Sequence, residues 1–164
     1  MPRVMADRFQ RWFEYEKDVH AKTIRSLESV PTAGQESPEF QKAVKILAHV
    51  AAARRMWLGR LGVLPPSTTS LFPENPTLPQ TVANLREAEA VWTTHLAALD
   101  DDQIAQVFEY QSIDGVRFRN RIEDILSQLY GHSWYHRGQI AMLVRAAGGQ
   151  PEITDFIYWC REPV

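Results

Sequence analysis

The sequence predicts an all-α protein, a four-helix bundle with a small β-hairpin between the third and fourth helices. Two observations lead there. Apolar residues recur at three- and four-residue steps in four long segments, the spacing that lines one face of a helix. Between those segments stand proline-punctuated stretches, with one Asp-Gly pair flanked by short alternating runs. At 164 residues, 45% apolar and 23% charged, the chain is globular in composition and long enough to bury a core. It is read as one domain over residues 1–164.

The first helix is expected from about Ala6 to Leu27, with Phe9, Trp12, Phe13, Val19, Ile24 and Leu27 on its buried face. Pro31 to Pro38 reads as a loop. Ser37-Pro38 then supplies an N-cap and a proline at the first helical position, where the missing N–H is harmless. Helix two runs to about Leu61 and stops at Gly62, with Pro65-Pro66 beyond. After a loop from Ser67 to Pro79, a third helix covers Gln80 to Leu99 and buries Val82, Leu85, Trp92, Leu96 and Leu99. Asp100-Asp101-Asp102 opens an irregular connection. Val107–Tyr110 and Val116–Phe118, around Asp114-Gly115, predict a hairpin in which both turn residues take positive φ. Asn120 is expected to cap the last helix with Glu123 three residues on, and Gly148-Gly149 to close it.

The composition excludes several classes. The formal net charge is -2, with lysines and arginines scattered, whereas a duplex-binding protein shows a basic face. No nucleic-acid partner is expected. No segment has the length or apolarity of a membrane span, and the N-terminus lacks the apolar core of a secretory signal, so the expected location is the cytoplasm. The lone cysteine, Cys160, allows no internal disulfide and reads as a small buried hydrophobe.

The chemistry concentrates in the last helix. Its inward stripe reads Ile122, Ile125, Leu126, Leu129, His132, His136, Ile140, Leu143, Val144, Ala147. Histidines four apart share one face and can reach one ion, and an imidazole in such a stripe needs a partner for its nitrogens. Ser133 stands where a HExxH protease would carry its glutamate, so that chemistry is not expected. A third ligand must come from His20, His49 or His95. Periodicity separates these poorly and slightly favours His20, which continues the first helix's stripe beside Glu16; Glu16 could add a carboxylate. Trp12, Trp57, Trp92 and Trp134 read as core or interface anchors.

Leu47-Ala48-His49-Val50, continuing through Met56-Trp57-Leu58 to Arg60-Leu61, resembles the second helix of the DinB-like (DinB/YfiT) family of metal-dependent proteins. Gly131-His132-Ser133-Trp134-Tyr135-His136-Arg137-Gly138-Gln139 resembles that family's HxxxHRGQ signature, and Pro151–Asp155, Tyr158 and Arg161-Glu162 resemble its tail. The resemblance implies a divalent metal on His49, His132 and His136 with coordination positions left open, as in catalytic rather than closed structural sites. Nickel or zinc comes first for such imidazoles, with manganese or iron also in range. It implies further a low-molecular-weight thiol cofactor, a small-molecule substrate and a homodimer. Gln139 shares the histidine face and could bond a histidine's second nitrogen; Arg137 could anchor an anionic substrate or form a salt bridge. The functions in view are a metal-dependent enzyme (thiol-dependent S-transferase, isomerase or hydrolase), a non-catalytic metal-binding or stress-response bundle, and a plain interaction module.

Overall fold

A computed structural model describes residues 3–164. In chain order the elements are α1 (Val4–Glu28), α2 (Thr32–Gln35), α3 (Pro38–Arg60), α4 (Leu78–Ala98), α5 (Asp101–Ala105), β1 (Val107–Gln111), β2 (Arg117–Arg121), α6 (Ile122–Ala146) and α7 (Phe156–Cys160). The protein is all-α, its four long helices joined by short helical turns and one two-stranded antiparallel hairpin. Among the described residues no helix is long and apolar enough to cross a membrane.

Local signals set most boundaries. The Ser37 side chain accepts from the Phe40 N–H at 3.2 Å, with proline following at the first helical position. Gly62 and Gly148 take φ of 72° and 86°. Each is followed by an N–H that reaches back five residues, Val63 to Leu58 and Gly149 to Val144. Both helices therefore close by the left-handed motif that glycine permits without steric cost.

Four expectations need correction. The 31–38 stretch holds the helical turn α2, packed so tightly that a Cβ on Gly34 would meet the Ala147 carbonyl. Helix α4 begins two residues before Gln80, because Thr77 caps the Gln80 N–H. The Asp100–Asp102 connection is helical: Asp100 and Gln103 cap each other reciprocally to start α5. Asn120 lies in β2 opposite Phe108 rather than capping α6. There the Asp124 carboxylate accepts from the Arg121 N–H, and Glu123 pairs with Arg121's guanidinium instead. The hairpin turn also differs in detail. Gly115 alone takes positive φ, the Gly115 N–H bonds the Ser112 carbonyl, and the loop is the longer bulged kind rather than a two-residue turn.

The core divides into two apolar halves. One gathers Phe9, Phe13, Trp57, Leu58, Trp92, Leu96, Leu126 and Leu129. The other gathers Ile24, Leu27, Val44, Leu47, Leu85, Ile140 and Val144. Helices α1 and α6 enter at the first half and leave at the second, whereas α3 and α4 run from the second to the first. The bundle is therefore up-down-down-up. Two successive parallel helices require a connection that travels back along the bundle, and residues 61–77 make it, passing over α3.

Candidate metal centre

Between the two apolar halves lies a polar layer. Glu16 is fully buried on α1 and accepts from Arg54 Nη2 of α3 at 2.7 Å, from Trp134 Nε1 of α6 at 2.9 Å and from Arg137 Nη1 at 3.4 Å. Arg54, also buried, donates to Ser133 Oγ at 3.0 Å. A carboxylate and guanidinium removed from water are tolerable only when paired and hydrogen-bonded, and these are. The layer ties α1, α3 and α6 together at mid-height.

The three histidines stand on the outward side of this layer. His49 comes from α3, five residues before Arg54, and His132 and His136 from α6 on either side of Ser133. Each contributes one ring nitrogen, and these atoms lie within 4.8 Å of one another. His132 Nε2 is 3.0 Å from His49 Nε2 and 3.1 Å from His136 Nε2. Two of the far nitrogens are already engaged. His49 Nδ1–H donates to the Leu71 carbonyl at 2.8 Å, and His136 Nδ1–H donates to Gln139 Oε1 at 2.7 Å.

Those two bonds fix the tautomers. A carbonyl oxygen accepts only, so both Nδ1 atoms carry their protons and both Nε2 atoms present lone pairs to His132. His132 Nε2 holds at most one proton and can satisfy one of the two. Burial, then the neighbouring His136 and His49, pull the His132 pKa down to about 4, which keeps its ring neutral at pH 7. With the His132 proton on Nδ1 instead, all three Nε2 lone pairs face one another and suit a shared cation. At Zn–N bonds of ~2.0–2.1 Å, ligands roughly 90–110° apart stand about 3 Å from each other, the spacing found for the two shorter pairs. The donor set therefore fits a borderline divalent metal.

Above His49 the Phe72 ring stacks at 4.6 Å between centroids and 4° between planes, although Phe72 is 68% exposed. Tyr135 lies against His136 at 5.0 Å and is 65% exposed. The centre thus opens to solvent between two exposed aromatic side chains.

The other candidates go elsewhere. His20 is buried, with its Nδ1–H on Glu89 Oε1 at 2.7 Å and its Nε2 3.5 Å from Glu16. It belongs to the polar layer and does not join the cluster, so the slight preference for it from periodicity is corrected. Glu16 likewise faces inward to Arg54 rather than to the histidines. His95 packs edge-on against Trp92. Arg137 spends its guanidinium on Glu16, Tyr15 Oη at 2.8 Å and Thr154 Oγ1 at 3.2 Å. Trp57 and Trp92 are core residues, whereas Trp134 is 43% exposed. Cys160 is half-buried rather than buried. Sequence reasoning missed the Leu71 carbonyl and Phe72, because a loop passing a site leaves no periodic signal.

No curated protein matches the chain. The family model of the DinB family matches residues 3–162, nearly the whole length and including all three histidines. On that match and this architecture, the chain belongs to the DinB family.

Proposed function

We propose that the protein is a metal-dependent enzyme of thiol-dependent transferase, isomerase or hydrolase type, with one divalent ion on His49, His132 and His136. The observation that supports this most directly is the convergence of three Nε2 atoms, two of them with tautomers fixed by the Leu71 carbonyl and Gln139. Nickel or zinc suits three neutral imidazoles best, with manganese or iron also within range. When bound, such an ion would lower the pKa of a thiol or water at an open position and stabilise its deprotonated, nucleophilic form.

The chain's own residues prepare the site. Gln139 and the Leu71 carbonyl hold the imidazole planes in place, which raises their basicity and fixes their aim. His132 stays neutral and needs no deprotonation to act as a ligand. Phe72 shields one side of His49 from water. Three protein donors are one fewer than closed structural zinc sites use. The bundle also has another brace at this height, since Arg54 already joins α3 to α1 and α6. Both points favour turnover over a purely structural ion. A small-molecule substrate, a cytoplasmic location and a homodimer complete the proposal, the last checked by sedimentation equilibrium.

The decisive test is metal content by mass spectrometry on untagged protein, repeated for His49→Ala, His132→Ala and His136→Ala. Near-stoichiometric metal in the wild type, lost in each variant, supports the reading and justifies a screen of thiol-dependent transfers. Wild-type protein that takes up neither nickel nor zinc after reconstitution overturns it.

A further inference from the structure

A cleft of about 740 Å³ lies between α3, the crossover and the hairpin, and two of its lining residues, Leu71 and Phe72, also touch His49. One wall is a single stripe of α3. Ala52, Met56 and Arg60 line it, and they continue at steps of three, four and four the helical face that begins at His49. The opposite walls are Leu71 and Phe72 of the crossover, which already touch His49 by hydrogen bond and by stacking, and Tyr110 and Ile113 at the hairpin. The cleft is largely apolar, and Arg60 is the one charged residue lining it.

Arg60 is anomalous among the arginines. Four are not exposed: Arg54, Arg55, Arg60 and Arg137. Arg54 and Arg137 pair with Glu16, and Arg55 donates to the Pro65 carbonyl. Among the described residues Arg60 has neither a hydrogen-bond acceptor nor a carboxylate. Its guanidinium instead sits over the Trp57 ring at 4.8 Å and the Tyr110 ring at 5.2 Å. Burial pulls it below its ordinary pKa range. A cation half-removed from water, fixed by two aromatic faces and left with its donor fork free, is arranged to receive an anion. The α-carbons of His49 and Arg60 are about 16 Å apart along the helix at ~1.5 Å per residue.

We propose that this cleft is the substrate groove of the metal site, with Arg60 binding the carboxylate or phosphate end of an elongated, otherwise apolar molecule whose far end reaches the three histidines. The assignment of that far end rests on the metal-centre reading; the anion preference at Arg60 does not.

The test uses methyl NMR of the full-length protein, in which Met56 lies in the groove and Met142, which is 71% exposed, lies outside it. The probes are 6-phenylhexanoate, 6-phenylhexyl phosphate and the neutral 6-phenylhexanol. At least one anion should outbind the alcohol by about tenfold to a hundredfold, the range expected for a charge-assisted contact, and should shift the Met56 methyl rather than that of Met142. Which anion binds tighter separates a carboxylate from a phosphate substrate. Arg60→Gln should abolish the preference and Arg60→Lys should retain part of it. With cobalt(II) in the site, the phenyl protons should broaden more than the methylene beside the anion. Equal binding of acid, phosphate and alcohol, a shift at Met142 with Met56 unmoved, or a preference that survives Arg60→Gln overturns the Arg60 assignment. The reverse order of broadening overturns the orientation. Failure to take up cobalt overturns the metal reading alone, because the anion preference is read equally well on metal-free protein.

Discussion

Replacing Arg54 by methionine should destabilise the protein more than any surface change and should weaken metal binding as well. Arg54 is 2% exposed and its carboxylate partner Glu16 is 0% exposed, at 2.7 Å. Removing one member of such a pair strands the other, at a typical cost of ~3–5 kcal/mol. Glu16 would keep Trp134 Nε1 at 2.9 Å and Arg137 at 3.4 Å, so the cost should fall at the lower end, about 3 kcal/mol. For a chain of this size that is roughly a 6–12 °C fall in Tm. Glu16→Leu should cost a similar amount, since it leaves the Arg54 guanidinium with only Ser133 and the Leu129 carbonyl.

The double variant separates a coupled pair from two independent losses. With both charges gone, neither is left buried alone, and the combined cost should be smaller than the sum by at least ~2 kcal/mol. Urea denaturation of the metal-free proteins at pH 7 gives all four corners of this cycle. Strict additivity, or an Arg54→Met cost below ~1 kcal/mol, would refute the buried pair as the brace of the polar layer. The same variants bear on function, because Arg54 follows His49 by five residues and Ser133 follows His132 by one. Loosening that tie should lower zinc affinity, measured by chelator competition. Unchanged affinity in a destabilised Arg54→Met protein would show that the histidines hold their geometry without it.

Two further outcomes follow from single contacts. Gln139→Leu removes the acceptor for His136 Nδ1–H and should lower metal affinity by about 10–100-fold with little change in helicity; an unaltered affinity would detach Gln139 from the site. Asp101 caps α1 from a distance, its carboxylate accepting from the Met5 and Ala6 N–H groups, and the bond from Ala6 leads in holding its pKa below the usual 3.8. A depressed carboxylate pKa favours the fold above the unfolded-state value, and the benefit disappears as pH drops through the folded value. Asp101→Ala should therefore melt below wild type at pH 7, and the gap should close as pH falls below about 3.8. A gap that persists at pH 2 would mean the loss is one of packing.

Much of the fold was legible because helix periodicity and glycine stops are local. Ser37-Pro38, Gly62 and Gly148 act where the sequence places them. Asn120 misled because strand pairing with Phe108, a partner twelve residues away, overrode its capping preference. The short helix α5 escaped a periodic reading because five residues are too few to show a period. His132 and His136 were visible from spacing. His49 was not, because it faces the 61–77 crossover rather than the aliphatic core, and only resemblance selected it. His20 drew attention for the opposite reason. A histidine on a buried face needs a partner, and its partner proved to be Glu89, 69 residues away.

The HxxxHR stretch of α6 gains a physical meaning from this arrangement. It holds two four-apart pairs offset by one residue, hence turned by about 100° around the helix. His132 and His136 form the outward pair, and their Nε2 atoms gather with that of His49 around His132. Ser133 and Arg137 form the inward pair, and both reach the Arg54–Glu16 unit. Rotating α6 to improve either set would misplace the other, since both are fixed to one rigid backbone. The inward and outward pairs therefore constrain the rotation of the helix together. A serine at the position between the histidines serves this design where a glutamate would not, since a carboxylate there would face Glu16 across the Arg54 guanidinium and repel it.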